Sequence, residues 1–465
     1  MTSADIAAAC GLSGFACEGE GVGGLLKCRF EDFRVEEVGR TPALDAKGRF
    51  TVARVTLTNW ETNRFVGKLA KILGISKNRI WFSGTKDKRA ITTQLLVIDA
   101  PKNKVNSVDL NDVDLEVLGR THQKLGFGDH TGNRFTVTVR GCADSDGKPL
   151  EAKEAVARIN SIFEAMENRL GAGRFPNWIG PQRFGATRPV TPIVGRCVIG
   201  DDWKGAVDAY LGMPGIHQRP DVQAFRSLWR ESLDPEKCLE IVPKHLGFER
   251  DMLSHLVRKP DDWVGAFRKL PNNLQLMMVH SLQSEAFNRI IAARLEAGLT
   301  LAEPIEGDVV GLIQDNGKID MGKLVEVDNG ILPRISRNCR LGRLAVTASL
   351  PGSESRYTES KPGEIERKVI SEMGLEDEDW QVISIPRLSS KGSRRALTVT
   401  FSDFSVEEAG EVEGDRLGDR FSEGPREDEV WHPDGCSIRL RFSLPSGTYA
   451  TVLMREFMRA PLTQY

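Results

Sequence analysis

An α+β architecture follows from three observations. The segments Phe50 to Leu57 and Arg134 to Arg140 alternate apolar and polar residues, as half-buried strands do. Residues from about 200 to 300 read mostly as helix, most clearly Leu274 to Leu295. Alternation then returns at Ser437 to Leu444, where Ile438, Leu440, Phe442 and Leu444 share a face. A strand-rich domain interrupted by an inserted, helix-rich domain is the simplest reading of that order. The length agrees, because 465 residues exceed one ordinary core.

LLKCRFEDFRVEE, residues 25–37, reads as an extended segment with a turn. The Phe50 strand places Ala53, Val55 and Leu57 on one face. Thr58-Asn59 offers a helix start, and Phe65, Leu69, Ile72 and Leu73 keep helical spacing up to Gly74. A basic turn leads through IWFSGTKDK to an apolar strand at Leu95 to Ile98. In the next strand Phe135, Val137 and Val139 share a face, and Ala152 to Leu170 is an amphipathic helix. Residues about 300–350 read as short strands and turns, a late strand is expected at Ala396 to Phe401, and a last helix around Ala450 to Met458. GEGVGG, residues 19–24, formally matches GxGxxG, but no strand precedes it and no helix-like run follows.

Composition excludes several classes. No apolar run approaches the roughly 18 residues that span a bilayer. The first residues lack the basic start of a signal peptide, so a cytoplasmic protein is expected. The eight cysteines form no CxxC pair and the seven histidines no HxxxH pair, so neither a metal centre nor a redox motif is expected. The net charge of −2 hides an uneven distribution. Between Trp60 and Gln94 eight Lys or Arg face two acids; between Glu407 and Glu429 ten acids face three arginines. The basic region suits phosphates or a solvated helix face. The acidic one reads as a mobile loop.

Within the basic region, WFSGTKDKRAITTQ (81–94) sets Asp87 between Lys86 and Lys88, with Arg89 following. Nearby cations favour the charged form of a carboxylate. Such a group serves as a nucleophile, a metal ligand, a salt-bridge partner or part of a solvated turn. Its predicted place, in a loop before a strand, is one where a rigid sheet fixes the direction of a reactive group.

Five separated stretches, in order, resemble the TruD family of pseudouridine synthases. They are LLKCRFEDFRVEE, FSGTKDKRAITTQ (82–94), GNRFTVTVR (132–140), PNWIGPQRFG (176–185) and RFSLPSGTYATVLMRE (441–456). Weaker echoes are SEAFNRIIAARL (284–295) and TASLPGSE (347–354). The resemblance implies a pseudouridine-synthase catalytic domain with a mixed β-sheet, formed by residues 1–173 and 398–465, and a family-specific inserted α/β domain at 174–397. It also implies isomerisation of uridine to pseudouridine in transfer RNA, at position 13 in the D arm, with no cofactor, no metal, no membrane and no obligate protein partner.

The site residues follow from the same resemblance. Asp87 matches the catalytic aspartate, either attacking the sugar or removing a sugar proton. Lys27 matches a lysine beside it, and Phe33 a substrate-contacting aromatic. Asn133 and Phe135 match residues that orient and stack the base, although Phe135 also shares a strand face with Val137 and Val139. Tyr449 stands where relatives carry an aromatic ring. Arg64, Lys68, Lys86, Lys88 and Arg89 are the phosphate-contact candidates. Asn177, Gln182, Arg183 and Gly185 are expected to be structural or RNA-positioning. Other readings remain: a non-catalytic RNA-binding protein or RNA chaperone on the same fold, the same reaction at other RNA sites, and a glycosidase. A glycosidase ordinarily needs two carboxylates flanking the bond, and one prominent carboxylate motif is visible.

Overall fold

The computed structural model describes residues 3–465, except 127, 217, 315, 316, 377, 379, 410–416, 419 and 420. The chain forms two compact units: one of residues 17–168, 172–175 and 400–465, the other of residues 1–16, 169–171 and 176–399.

The first unit is built on a mixed sheet. In chain order its strands begin with β1 (Gly23–Leu25), β2 (Phe33–Val38), β3 (Phe50–Thr58), β4 (Ile80–Phe82), β5 (Ile91–Ile98), β6 (Val113–Thr121) and β7 (Gly132–Cys142). After β8 (Arg174–Pro176) the second unit contributes β9 (Val309–Ile313), β10 (Ile319–Glu326), β11 (Leu344–Leu350) and β12 (Ser393–Ala396). The short β13 (Thr398–Thr400) precedes β14 (Ser402–Glu408) and β15 (Ile438–Pro445). The first unit's order is β14-β15-β7-β2-β5-β3-β6, with β1 beside β7 and β4 beside β5. Among the described residues only β2 and β5 run parallel in that sheet; its other pairings are antiparallel.

Register sets which side chains meet. Val35 stands opposite Phe135 and Phe135 opposite Phe442; one step along, Glu37 faces Asn133 and Asn133 faces Leu444. One sheet face thus carries an aromatic row and, beside it, a polar one. The helix Thr62–Leu73 buries Phe65, Val66, Leu69 and Leu73 against Ala53, Val55, Leu57, Leu96 and Ile98. This helix begins at Thr62, later than Thr58-Asn59, because the Glu61 carboxylate accepts hydrogen bonds from the Asn63 and Arg64 backbone N–H groups. The helix Ala152–Leu170 matches its sequence period, and Phe163 stacks on Phe404 with ring centroids 4.6 Å apart.

The acidic stretch is anchored where it is described. Leu417 and Phe421 pack with Leu25, Cys28 and Trp431, and Glu407 bridges Arg439 and Arg441. Its centre, 410–416 with 419 and 420, lies outside the described residues, and that part of the expected mobile loop falls there.

The second unit pairs a long helix, Asn272–Glu296, with an antiparallel sheet of order β10-β9-β11-β12. A helix at Leu332–Arg340 stands where only strands and turns were expected. Part of the stretch PNWIGPQRFG is tied into the second unit by its backbone and by Asn177. Asn177 donates to the Ala396 carbonyl and its backbone N–H to Leu397. Asn288, from the SEAFNRI echo, accepts from Ile179 N–H and donates to the Ile179 and Cys10 carbonyls. Gly185 has φ +101°, and a Cβ there would lie 2.3 Å from the Arg188 carbonyl oxygen, so only glycine fits.

Deep in the first unit, Arg140 on β7 holds Asp32 with Nε and Nη2, at 2.7–2.9 Å. Asp32 also accepts from the Arg29 N–H, which closes the turn before β2. Removing one partner strands a buried charge, so Asp32→Ala is expected to lower stability by about 3–5 kcal/mol, read from the urea midpoint of unfolding. The double variant Asp32→Leu with Arg140→Met is expected to recover most of that loss. A single variant as stable as wild type would show that the pair holds nothing.

Candidate active site

Asp87 lies in the loop between β4 and β5, with its side chain 51% exposed. Its Oδ2 accepts a hydrogen bond from Lys27 Nζ at 3.0 Å. Among the described residues its other oxygen makes no hydrogen bond. One oxygen is therefore committed to a counter-charge and the other is open.

The Lys27 turn is fixed by its backbone. Lys27 has φ +56°, a left-handed conformation that costs a non-glycine residue energy and persists only when neighbours impose it. Arg89 supplies that constraint. Its Nε donates to the Lys27 carbonyl at 2.8 Å and its Nη2 to the Cys28 carbonyl at 3.0 Å. The loop that bears Asp87 thus grips the turn that bears Lys27 twice, once through each residue's partner. Beneath them, Lys27 Nζ lies 4.3 Å from the centroid of the Phe33 ring. That ring meets Phe135 edge-on at 6.0 Å, and Phe135 stacks on Phe442 at 5.4 Å.

A second anchor holds the same loop. Lys86 Nζ donates to Glu37 Oε2 at 2.7 Å, with side chains 5% and 4% exposed. Its backbone N–H donates to Thr62 Oγ1. His130 lies against this pair; burial first, and the Lys86 cation second, hold its imidazole below the usual value. Its Nε2 is 3.2 Å from Ser446 Oγ, in the turn after β15. The connections before β5, before β7 and after β15 meet in this network, the first carrying Asp87 and the last leading to Tyr449.

The expected site residues are thus unequally placed. Lys27, Phe33, Asp87 and Phe135 form one chain of contacts. Phe33 and Phe135 are only 1% and 7% exposed, so most of each ring belongs to the core. Asn133 shares the sheet face of Phe135 and keeps a buried Oδ1 with no hydrogen-bond partner among the described residues. Tyr449 is half-buried at the N-cap of the helix Ala450–Met458, and among the described residues its ring makes no aromatic contact. Of the phosphate-contact candidates, Arg64, Lys68 and Lys88 are exposed and without an ion pair among the described residues. Lys86 and Arg89 differ: the first is buried against Glu37, and the second spends its guanidinium on two carbonyls. Glu37, His130 and Ser446 were not picked out from sequence, since nothing local ties them to Lys86. A cavity of about 330 Å³ opens beside Asn133 and Arg134 at the ends of β7 and β15, and Asp87 does not line it. Among the described residues no group of three His, Cys, Asp or Glu side chains converges as a metal site would, and no helix is long and apolar enough to cross a membrane.

Comparison with known proteins supplies a lineage for this arrangement. A profile described as tRNA pseudouridine synthase D (TruD) matches residues 9–457. A protein of Methanosarcina acetivorans named "Probable tRNA pseudouridine synthase D" is 35% identical over 97% of this chain and 96% of its own length. One of the same name from Halobacterium salinarum is 34% identical over the same shares. A crystal structure of a Methanosarcina mazei protein described as TruD superimposes with a TM-score of 0.81 at 33% identity, covering 98% of each chain. With the matched profile spanning nearly every residue and the fold shared throughout, the chain belongs to the tRNA pseudouridine synthase D (TruD) family.

Proposed function

We propose that this chain, as a pseudouridine synthase acting on transfer RNA, isomerises uridine 13 in the D arm, with Asp87 as its catalytic carboxylate. The unit of residues 17–168, 172–175 and 400–465 is the catalytic domain in this reading, and residues 176–399 make up most of the inserted one. One observation carries it: an exposed aspartate whose Oδ2 is held by Lys27 while Oδ1 stays open, on a loop locked to that lysine's own carbonyl.

The reaction breaks the N1–C1′ bond, turns the uracil, and forms a C5–C1′ bond. C5 loses a proton and N1 gains one, so no electron acceptor is needed. The open oxygen of Asp87 either attacks the sugar or takes a sugar proton; both need a carboxylate that is ionised and fixed in direction. Lys27 supplies the counter-charge, and Arg89 fixes the direction. Asn133 offers an amide whose oxygen is unsatisfied, suited to the donor on a uracil edge. The half-buried Tyr449 ring can stack a base, at roughly 1–3 kcal/mol. Phe33 and Phe135 act chiefly as the wall beneath Lys27. The target uridine leaves its stack at a cost of a few kcal/mol. Arg64, Lys68 and Lys88 are the phosphate contacts of the catalytic unit, whereas Lys86 and Arg89 position the loop.

Asp87→Asn is expected to lower turnover by about 10³-fold or more while transfer RNA still binds. Tritium release from transfer RNA labelled at uracil C5 measures this, and a turning-over variant would remove Asp87 from the chemistry. Mapping the product by reverse-transcription stops on a carbodiimide-treated transcript is expected to mark nucleotide 13; a stop elsewhere overturns the position. Arg89→Lys keeps the charge but loses the two-carbonyl grip, so kcat is expected to fall by about tenfold with KM little changed. A phosphate contact at Arg89 would instead raise KM.

A further inference from the structure

The second unit carries a cluster of cations that the chemistry above does not use. The helix Leu332–Arg340 turns Ile335 and Cys339 inward, both buried. Arg334, Arg337 and Arg340 lie on its exposed side, and Arg343 follows two residues after the exposed Leu341. Residues three apart share a helix face, so the guanidinium groups of Arg334, Arg337 and Arg340 emerge together, with the exposed Arg343 close behind in sequence. No acidic residue occurs between Asp328 and Glu354 in the sequence. Arg340 reaches Glu303 at 3.5 Å. Among the described residues the side chains of Arg334, Arg337 and Arg343 make no hydrogen bond and no ion pair.

Helix stability does not account for the cluster. Cations favour the last turn of a helix, which suits Arg337 and Arg340. Arg334 stands in the first turn, where the dipole disfavours a positive charge, and Arg343 lies beyond the helix. Nor is the packing at stake, since the inward residues are Ile335 and Cys339. Elsewhere in this unit arginines are used internally: Arg294 on Asp308, Arg226 on Glu249, Arg394 on Glu366. Three unpaired, exposed guanidiniums on one short stretch are a different use of the residue. Guanidinium is the side chain best matched to phosphate, through paired parallel hydrogen bonds.

We infer that Arg334, Arg337 and Arg343 form a second contact surface for the phosphate backbone of the RNA substrate, on the unit that does not carry Asp87. The inference rests on the RNA reading above and adds to it a surface remote in sequence from the catalytic motifs. The contact is electrostatic and sequence-independent, so it adds affinity and orientation without reading bases.

The test measures binding of an unmodified transfer RNA transcript to the full-length chain across a salt series. It compares wild type, the triple variant Arg334→Gln, Arg337→Gln, Arg343→Gln, and the catalytic-unit variant Arg64→Gln, Lys68→Gln. Each lost phosphate contact reduces the slope of log K against log salt by about 0.7–0.9. The triple variant is expected to lose about two units of slope and at least tenfold in affinity near 150 mM salt. Unchanged affinity and slope in the triple variant, with weakened binding in the catalytic-unit variant, would overturn the second surface and leave the RNA reading intact. Weakened binding with an unchanged slope would also overturn it, since lost charge must show in the slope. No transfer RNA binding by wild type would overturn both.

Discussion

The buried contact between Arg140 and Asp32 is the constraint on which the catalytic unit is arranged. It ties β7, an interior strand of the sheet, to the turn that precedes β2. The groups that reach Asp87 from the β1–β2 side flank that turn: Lys27 just before it, Phe33 just after it, and the carbonyls that Arg89 grips. A charge pair removed from water is poor at adding net stability but strict about geometry once both partners are present. Its value here is a fixed turn between Arg29 and Asp32, next to the left-handed Lys27 whose carbonyl Arg89 holds.

The same logic recurs with Lys86 and Glu37. A lysine in a loop of cations looks made for phosphate, yet this one points inward and neutralises a glutamate on the neighbouring sheet face. Together with Arg89 it divides the loop by function. Two of its cations hold the loop, and Lys88 faces outward. Asp87 sits between the two uses, with one oxygen claimed by Lys27. Glu37 and Asn133 stand beside the apolar row of Val35, Phe135 and Phe442, so the same sheet face buries polar groups next to aromatic ones.

Much of this was legible in the residues. Strands with one buried face, such as β3, β7 and β15, declare themselves by alternation, and the helix Ala152–Leu170 by its period. Asp87 and Lys27 stood out through matching motifs. What stayed hidden has physical reasons. β6 is only half-buried and richly charged, so its alternation was not singled out, and β14 merges in composition with the acidic stretch that follows. The helix Leu332–Arg340 is short and held by two buried residues, too few for a period to show. The partners of Lys86 and Arg89 are set by tertiary contacts 49 to 62 residues away, which local sequence cannot display. Phe33 and Phe135 left two readings open, and their burial favours the wall beneath the lysine.

The strand register has a consequence for how the protein is made. β15 is the neighbour that β7 needs on its outer side, and the contact between His130 and Ser446 spans 316 residues of chain. A ribosome delivers the first seven strands long before the fifteenth. Through that interval β7 presents one row of free backbone N–H and C=O groups, the kind of open edge that recruits wrong partners. The nascent sheet is thus most exposed to misassembly while residues 176–399 are being synthesised, before β15 can cover that edge.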